Sequence, residues 1–156
     1  MAEPLAAGTP APDFTLRATD GTDVTLSELR GSKVVLAFYP LDWSPGCTNQ
    51  MDAFTSDYTK FEAEGARVFG VSVDSVWSHQ AWKDARGMPF QLLADFHPKG
   101  AVAQQYGVYN EERGNSRRVT FVIDEQGIIR DVDASAPGET PSVDMVCSML
   151  QRIGGE

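Results

Sequence analysis

A chain of 156 residues, with 42% hydrophobic and 22% charged side chains, is long enough to bury one sizeable core, and it reads as a single domain over residues 1–156. Its formal charge of −9 excludes the Lys- and Arg-rich surfaces that bind nucleic acids and anionic membranes, so neither is an expected partner. Two cysteines, Cys47 and Cys147, make no disulfide framework and read as thiols of a reducing compartment. The opening "MAEPLAAGTPAPDF" has no basic start or signal-like apolar run, and Val34–Tyr39 is too short to span a bilayer, so a cytoplasmic protein is expected.

From the N-terminus, "DFTLRATDGTDVTLSEL" predicts a small hairpin turning at Asp20-Gly21. "KVVLAFY" is a continuous β-branched and aromatic run, suited to a central strand covered on both faces. Met51, Phe54, Tyr58 and Phe61 then recur every three or four residues, which predicts one helix stopping near Gly65. "ARVFGVSV" predicts a second buried strand, and "VWSHQAWKDARG" a helix ending at Gly87. "QLLAD" predicts a third strand, followed by a helix from Pro98 to Tyr106 with proline in its first turn. "RRVTFVID" and "IIRDV" flank Glu125-Gln126-Gly127 as a second hairpin, "SAPGETP" is a loop, and Ser142–Ile153 closes the chain as a helix. The expected class is an α/β sandwich with a mixed central sheet flanked by helices and an added N-terminal hairpin. This order resembles the thioredoxin fold.

Cys47 falls where the Val34–Tyr39 strand gives way to a helix. A helix N-terminus presents unpaired N–H groups and partial positive charge, which favour thiolate over thiol, the reactive form. A small buried core cysteine is the plainer alternative. Pro45 and Gly46 restrict the loop just before it, and Ser44 offers either a hydroxyl for a substrate oxygen or an N-cap. Trp43-Ser44-Pro45-Gly46-Cys47 sets a serine where the dithiol motif W-C-x-x-C has its attacking cysteine, which argues against a thiol–disulfide oxidoreductase.

"YPLDWSPGC" resembles the peroxiredoxin signature P-x-x-x-[ST]-x-x-C, with Pro40, Ser44 and Cys47 in register and Gln50 where the family carries Glu or Gln. "SVDSVWSHQAW", "LLADFHPKGAVAQQYGVYNEERG" and "RRVTFVID" follow at matching distances, and the later stretches are most similar to the one-cysteine alkyl hydroperoxide reductase E branch. The resemblance implies a thiol peroxidase for hydrogen peroxide and alkyl hydroperoxides. It implies a Cys47 sulfenic acid reduced by an external thiol, from a thioredoxin-like protein or a low-molecular-weight compound, and a homodimer without cofactor. It also implies Arg118 as the catalytic arginine; Arg117 is one residue out of register, and on a strand it would face the other way.

Pro40 is then a shield for the sulfur, and Trp43 and Phe38 are collar or packing residues. His79 and Trp82, three apart on one helix, read as packing, with a catalytic base at His79 the lesser alternative, and His97 has no evident role. Cysteines and histidines at 47, 79, 97 and 147 lack metal-ligand spacing, so no metal is expected. Cys147 shares an apolar helix face with Val143, Val146, Leu150 and Ile153, and it is the possible resolving cysteine of a two-cysteine alternative. The near resolving position of some relatives, five residues after Cys47, is Asp52. A non-enzymatic redox sensor or holdase is the remaining alternative.

Overall fold

The computed structural model describes residues 3–136 and 139–154. The β-branched and aromatic runs become the interior strands of a seven-stranded mixed sheet. Strands β1 (Thr15–Ala18), β2 (Asp23–Thr25), β3 (Lys33–Phe38), β4 (Ala66–Ser72), β5 (Gln91–Ala94), β8 (Val119–Ile123) and β9 (Ile129–Ala134) lie in the order β2-β1-β5-β4-β3-β8-β9. β3, β4 and β5 are parallel, and their crossovers carry the helices; β8 pairs antiparallel with β3, bringing Val119 opposite Phe38. The N-terminal hairpin extends the sheet, with β1 antiparallel to β5.

Alternation along β3 divides the core in two. Val35, Ala37 and Tyr39 face a cluster with Met51, Phe54, Phe61, Trp82, Val146 and Leu150. Val34, Leu36 and Phe38 face the opposite cluster, with Phe14, Val102, Tyr106 and Phe121. The first face is covered by α1 (Pro45–Ser56), α2 (Tyr58–Ala63), α3 (Val76–Arg86) and α5 (Val143–Gly154), and the second by α4 (Ala101–Gln105) with the N-terminal segment. α3 stops as expected at Gly87, whose φ of 64° is the left-handed cap conformation, with Met88 N–H returning to the Lys83 carbonyl.

Three expectations are corrected. The predicted helix over Met51–Gly65 is two, parted at Asp57 (φ −111°, ψ 22°). Thr55 Oγ1 donates back to the Met51 carbonyl (2.7 Å), a bond that bends helices, and Ser56-Asp57 propagates a helix poorly. The apolar stripe survives the break, with the Phe54 and Phe61 rings 5.2 Å apart. The predicted helix from Pro98 shrinks to Ala101–Gln105, because Gly100 (φ 74°) is left-handed and the buried Asp95 carboxylate takes the N–H groups of Val102 and Ala103. Arg117 and Arg118 precede β8 instead of lying in it. A two-residue hairpin of β6 (Tyr109–Asn110) and β7 (Asn115–Ser116), too short to carry a pattern, is additional. Of the predicted "SAPGETP" loop, residues 137–138 lie outside the described residues.

Gly70 in β4 lets α1 and the segment after β3 sit close to the sheet. A Cβ there would lie 2.7 Å from Leu92, 3.1 Å from the Tyr39 ring and 3.3 Å from Met51. Gly70→Val therefore overpacks the first core face and is expected to lower stability by about 1–3 kcal/mol, read from the urea unfolding midpoint.

Candidate active site

β3 ends at Phe38, and the turn to α1 spans Tyr39–Ser44. Pro45 occupies the first helical position, where its missing N–H costs nothing, and Ser44 is the N-cap residue in extended conformation. The Ser44 hydroxyl makes no cap bond; it donates to the Leu41 carbonyl (3.0 Å), leaving its lone pairs open. Cys47 sits in the first turn, where helix N–H groups have no intrahelical acceptor, and its side chain is wholly buried.

The antiparallel β3–β8 ladder delivers the positive charge. Arg118, just before Val119, extends its guanidinium over the first turn of α1. Nη1 lies 3.5 Å from Cys47 Sγ and donates to Gln50 Oε1 at 2.7 Å. Gln50 is fully buried one turn after Cys47, and its Nε2 has no partner among the described residues. A cation at this distance stabilises negative charge on sulfur, and Gln50 holds that cation in place. Gly46 makes room, since a Cβ there would stand 3.0 Å from Arg118 Nη2.

Cys47, Gln50 and Arg118 are thus in contact, with Ser44 and half-buried Pro40 on the adjoining turn. Trp43 is on the same turn, half exposed, with φ of 71°. Phe38 is not part of a collar: it packs in the opposite core against Tyr106 and Phe121, at 5.3 and 5.7 Å. His97 is exposed, and Trp82 is buried against Tyr39.

The sequence reading missed Asp42, which is buried and accepts from the Tyr39 hydroxyl (2.6 Å) and Ser78 Oγ (2.9 Å), with His79 Nδ1 at 2.8 Å. A lone aspartate between Leu41 and Trp43 carries no pattern that marks it as buried. Asp42, Asp74 and His79 also form the one acidic and histidine cluster of metal-binding size among the described residues. Both Asp42 oxygens, and the Asp74 Oδ2 that accepts from Asp42 N–H and Ser72, are already filled by protein donors.

Cys147 lies elsewhere. The charged groups around it are Glu64, Asp144, Lys60 and Asp57, at the far end of the α1–α2 arm. Cys47 and Asp57 are ten residues apart, a rise of about 15 Å at the ordinary helical pitch. Both cysteines are free thiols of the first core face, and a disulfide between them would need Cα atoms within about 7 Å. Burial, Glu64 and Asp144 push the Cys147 thiol up, against a smaller opposing effect of Lys60. Asp52, at the near resolving position, is ion-paired with Arg86 of α3, whose Nε donates at 3.1 Å.

A thioredoxin-like sandwich with one buried cysteine in the first turn of a helix, faced by an arginine that immediately precedes the antiparallel strand β8, defines a thiol peroxidase site. The AhpC/TSA family matches over residues 7–132, and the chain belongs to that family. It is 42% identical over 136 residues to alkyl hydroperoxide reductase E of Mycobacterium tuberculosis, covering 86% of this chain and 89% of the relative. It is also 42% identical over 127 residues to chloroplastic peroxiredoxin Q of Oryza sativa subsp. japonica, covering 81% of this chain and 58% of the relative. Among solved structures, peroxidoxin BcpB of M. tuberculosis superposes with a TM-score of 0.86 at 32% identity, covering 96% of this chain and 98% of that one. The protein is a thiol-dependent peroxidase.

Gly46→Val is expected to slow Cys47 oxidation by hydrogen peroxide about 10- to 100-fold, by displacing the Arg118 tip, while the unfolding midpoint barely moves. Native labelling with iodoacetamide at neutral pH is expected to modify Cys47 and spare Cys147, as peptide mass spectrometry would report.

Proposed function

We propose that Cys47 reduces peroxides in a one-cysteine cycle, a reading carried by the 3.5 Å contact between Arg118 Nη1 and Cys47 Sγ. The thiolate attacks one peroxide oxygen; an S–O bond forms as the O–O bond breaks, and the leaving oxygen departs as alcohol or water after taking a proton. Sulfur is oxidised to sulfenic acid and the peroxide is reduced. Charge moves from sulfur to the leaving oxygen along a line flanked by Arg118 and the α1 N-terminus, which stabilise that shift more than they stabilise bound peroxide. Ser44, its proton engaged by Leu41, accepts from the peroxide O–H, and Pro40 shields the sulfur.

An external thiol then condenses with the sulfenic acid, releasing water and forming a mixed disulfide, and a second thiol displaces Cys47. The raised, buried thiol of Cys147 supports this route over an internal disulfide. A homodimer in the cytoplasm completes the proposal, supported by the two-fold symmetry usual among soluble oligomers and by free thiols in the sequence.

The test is intact mass seconds after one equivalent of hydrogen peroxide. The wild type is expected to gain one oxygen, trapped by a sulfenate reagent, and Cys47→Ser to stay unchanged. Loss of two hydrogens would instead make Cys147 the resolving partner. Cys147→Ser is expected to sustain turnover with dithiothreitol at the wild-type rate; a variant that stalls after one oxidation overturns the one-cysteine cycle, and a wild type that stalls is a sensor.

A further inference from the structure

Trp43 holds a φ of 71°, a conformation costing an L-residue roughly 1–2 kcal/mol, immediately before Ser44, the N-cap residue of α1. Such a turn persists only if its surroundings impose it. The residue before it, Asp42, supplies that restraint, since its side chain is fully buried and its polar groups are bonded to three segments of the fold. Tyr39, after β3, donates its hydroxyl to Oδ1 (2.6 Å), and Ser78 of α3 donates to Oδ2 (2.9 Å). Asp42 N–H donates to Asp74 Oδ2 beyond β4 (2.9 Å), and His79 of α3 faces Oδ2 from 2.8 Å.

Hydrogen accounting gives His79 a definite part. Its Nε2 faces the Leu93 carbonyl of β5 at 3.1 Å, an acceptor only, so Nε2 carries a hydrogen there. Its Nδ1 faces a carboxylate oxygen already taking the Ser78 hydroxyl, at a distance too short for two opposed lone pairs. The other titratable groups at the cluster are Tyr39, whose hydroxyl lies 3.4 Å from Nδ1 and is held neutral by burial and Asp42, and Asp74, pushed up by burial.

We propose that His79 is a positioning residue for peroxide attack: donating from Nε2 to the Leu93 carbonyl and from Nδ1 to Asp42, it ties the Tyr39–Ser44 turn to β5. The turn in turn sets Ser44 and Pro40 against Cys47. This rests on the peroxidatic reading of Cys47, Ser44 and Pro40 given above.

Two substitutions separate the bonds. Asn places an amide nitrogen where Nδ1 stands and keeps the bond to Asp42; Gln places one where Nε2 stands and keeps only the bond to Leu93. Stopped-flow oxidation of Cys47 by hydrogen peroxide and alkylation by iodoacetamide, which needs the sulfur but not the turn's substrate contacts, are measured on wild type, His79→Asn and His79→Gln. His79→Gln is expected to lose about tenfold or more in the peroxide rate, with alkylation within twofold of wild type, and His79→Asn to recover most of the peroxide rate.

Equal rates in all three proteins, equal losses in both variants, or parallel loss of alkylation overturns the assignment. A wild type whose Cys47 ignores peroxide sinks the peroxidatic reading itself. Should either variant fail to fold, 15N spectra of histidine-labelled wild type decide, with only two histidines to resolve. A hydrogen-bonded Nδ1–H facing Asp42 supports the assignment, and a bare Nδ1 overturns it.

Discussion

A negative sulfur inside a protein requires a fixed positive charge beside it, and this fold answers that requirement through the pairing of β3 with β8. Phe38 opposes Val119 in that ladder, so Cys47, just after β3, and Arg118, just before β8, approach the same end of the sheet from opposite chain directions. No local motif brings residues 71 positions apart to 3.5 Å; an antiparallel pair of interior strands does. Gln50 then fixes the guanidinium, and Gly46 leaves the space it fills.

That pairing holds because both faces of the sheet are buried. β3 divides its side chains between two cores, so neither register nor face can change without exposing a set of apolar groups. The helix carrying Cys47 packs on one core through Met51 and Phe54, and the turn before it is held by Asp42. Interior packing and a polar anchor thus fix different ends of the same segment.

The parts legible in the sequence were those written locally. Strands read well where β-branched runs are continuous, and α3 where a stripe closes on Gly87. The Cys47 turn was visible through P-x-x-x-S-x-x-C, and Arg118 through its place before Thr-Phe. The break at Asp57 was hidden because Met51, Phe54 and Phe61 keep helical spacing across it, and α4 was overdrawn because Asp95, outside the helix, decides where it starts. Asp42 and His79, 37 positions apart, make sense together only after β3, β4 and β5 have been aligned, an outcome of topology and not of any short pattern.

That both thiols are free has a kinetic meaning. A resolving cysteine tethered nearby offers its thiol at an effective concentration in the millimolar range or above, whatever the surroundings contain. In the one-cysteine cycle proposed above, Cys147 offers no such internal supply. The lifetime of an oxidised Cys47 then scales inversely with the concentration of whichever thiol reaches it, so its steady-state oxidation reads out the surrounding thiol pool as much as the peroxide.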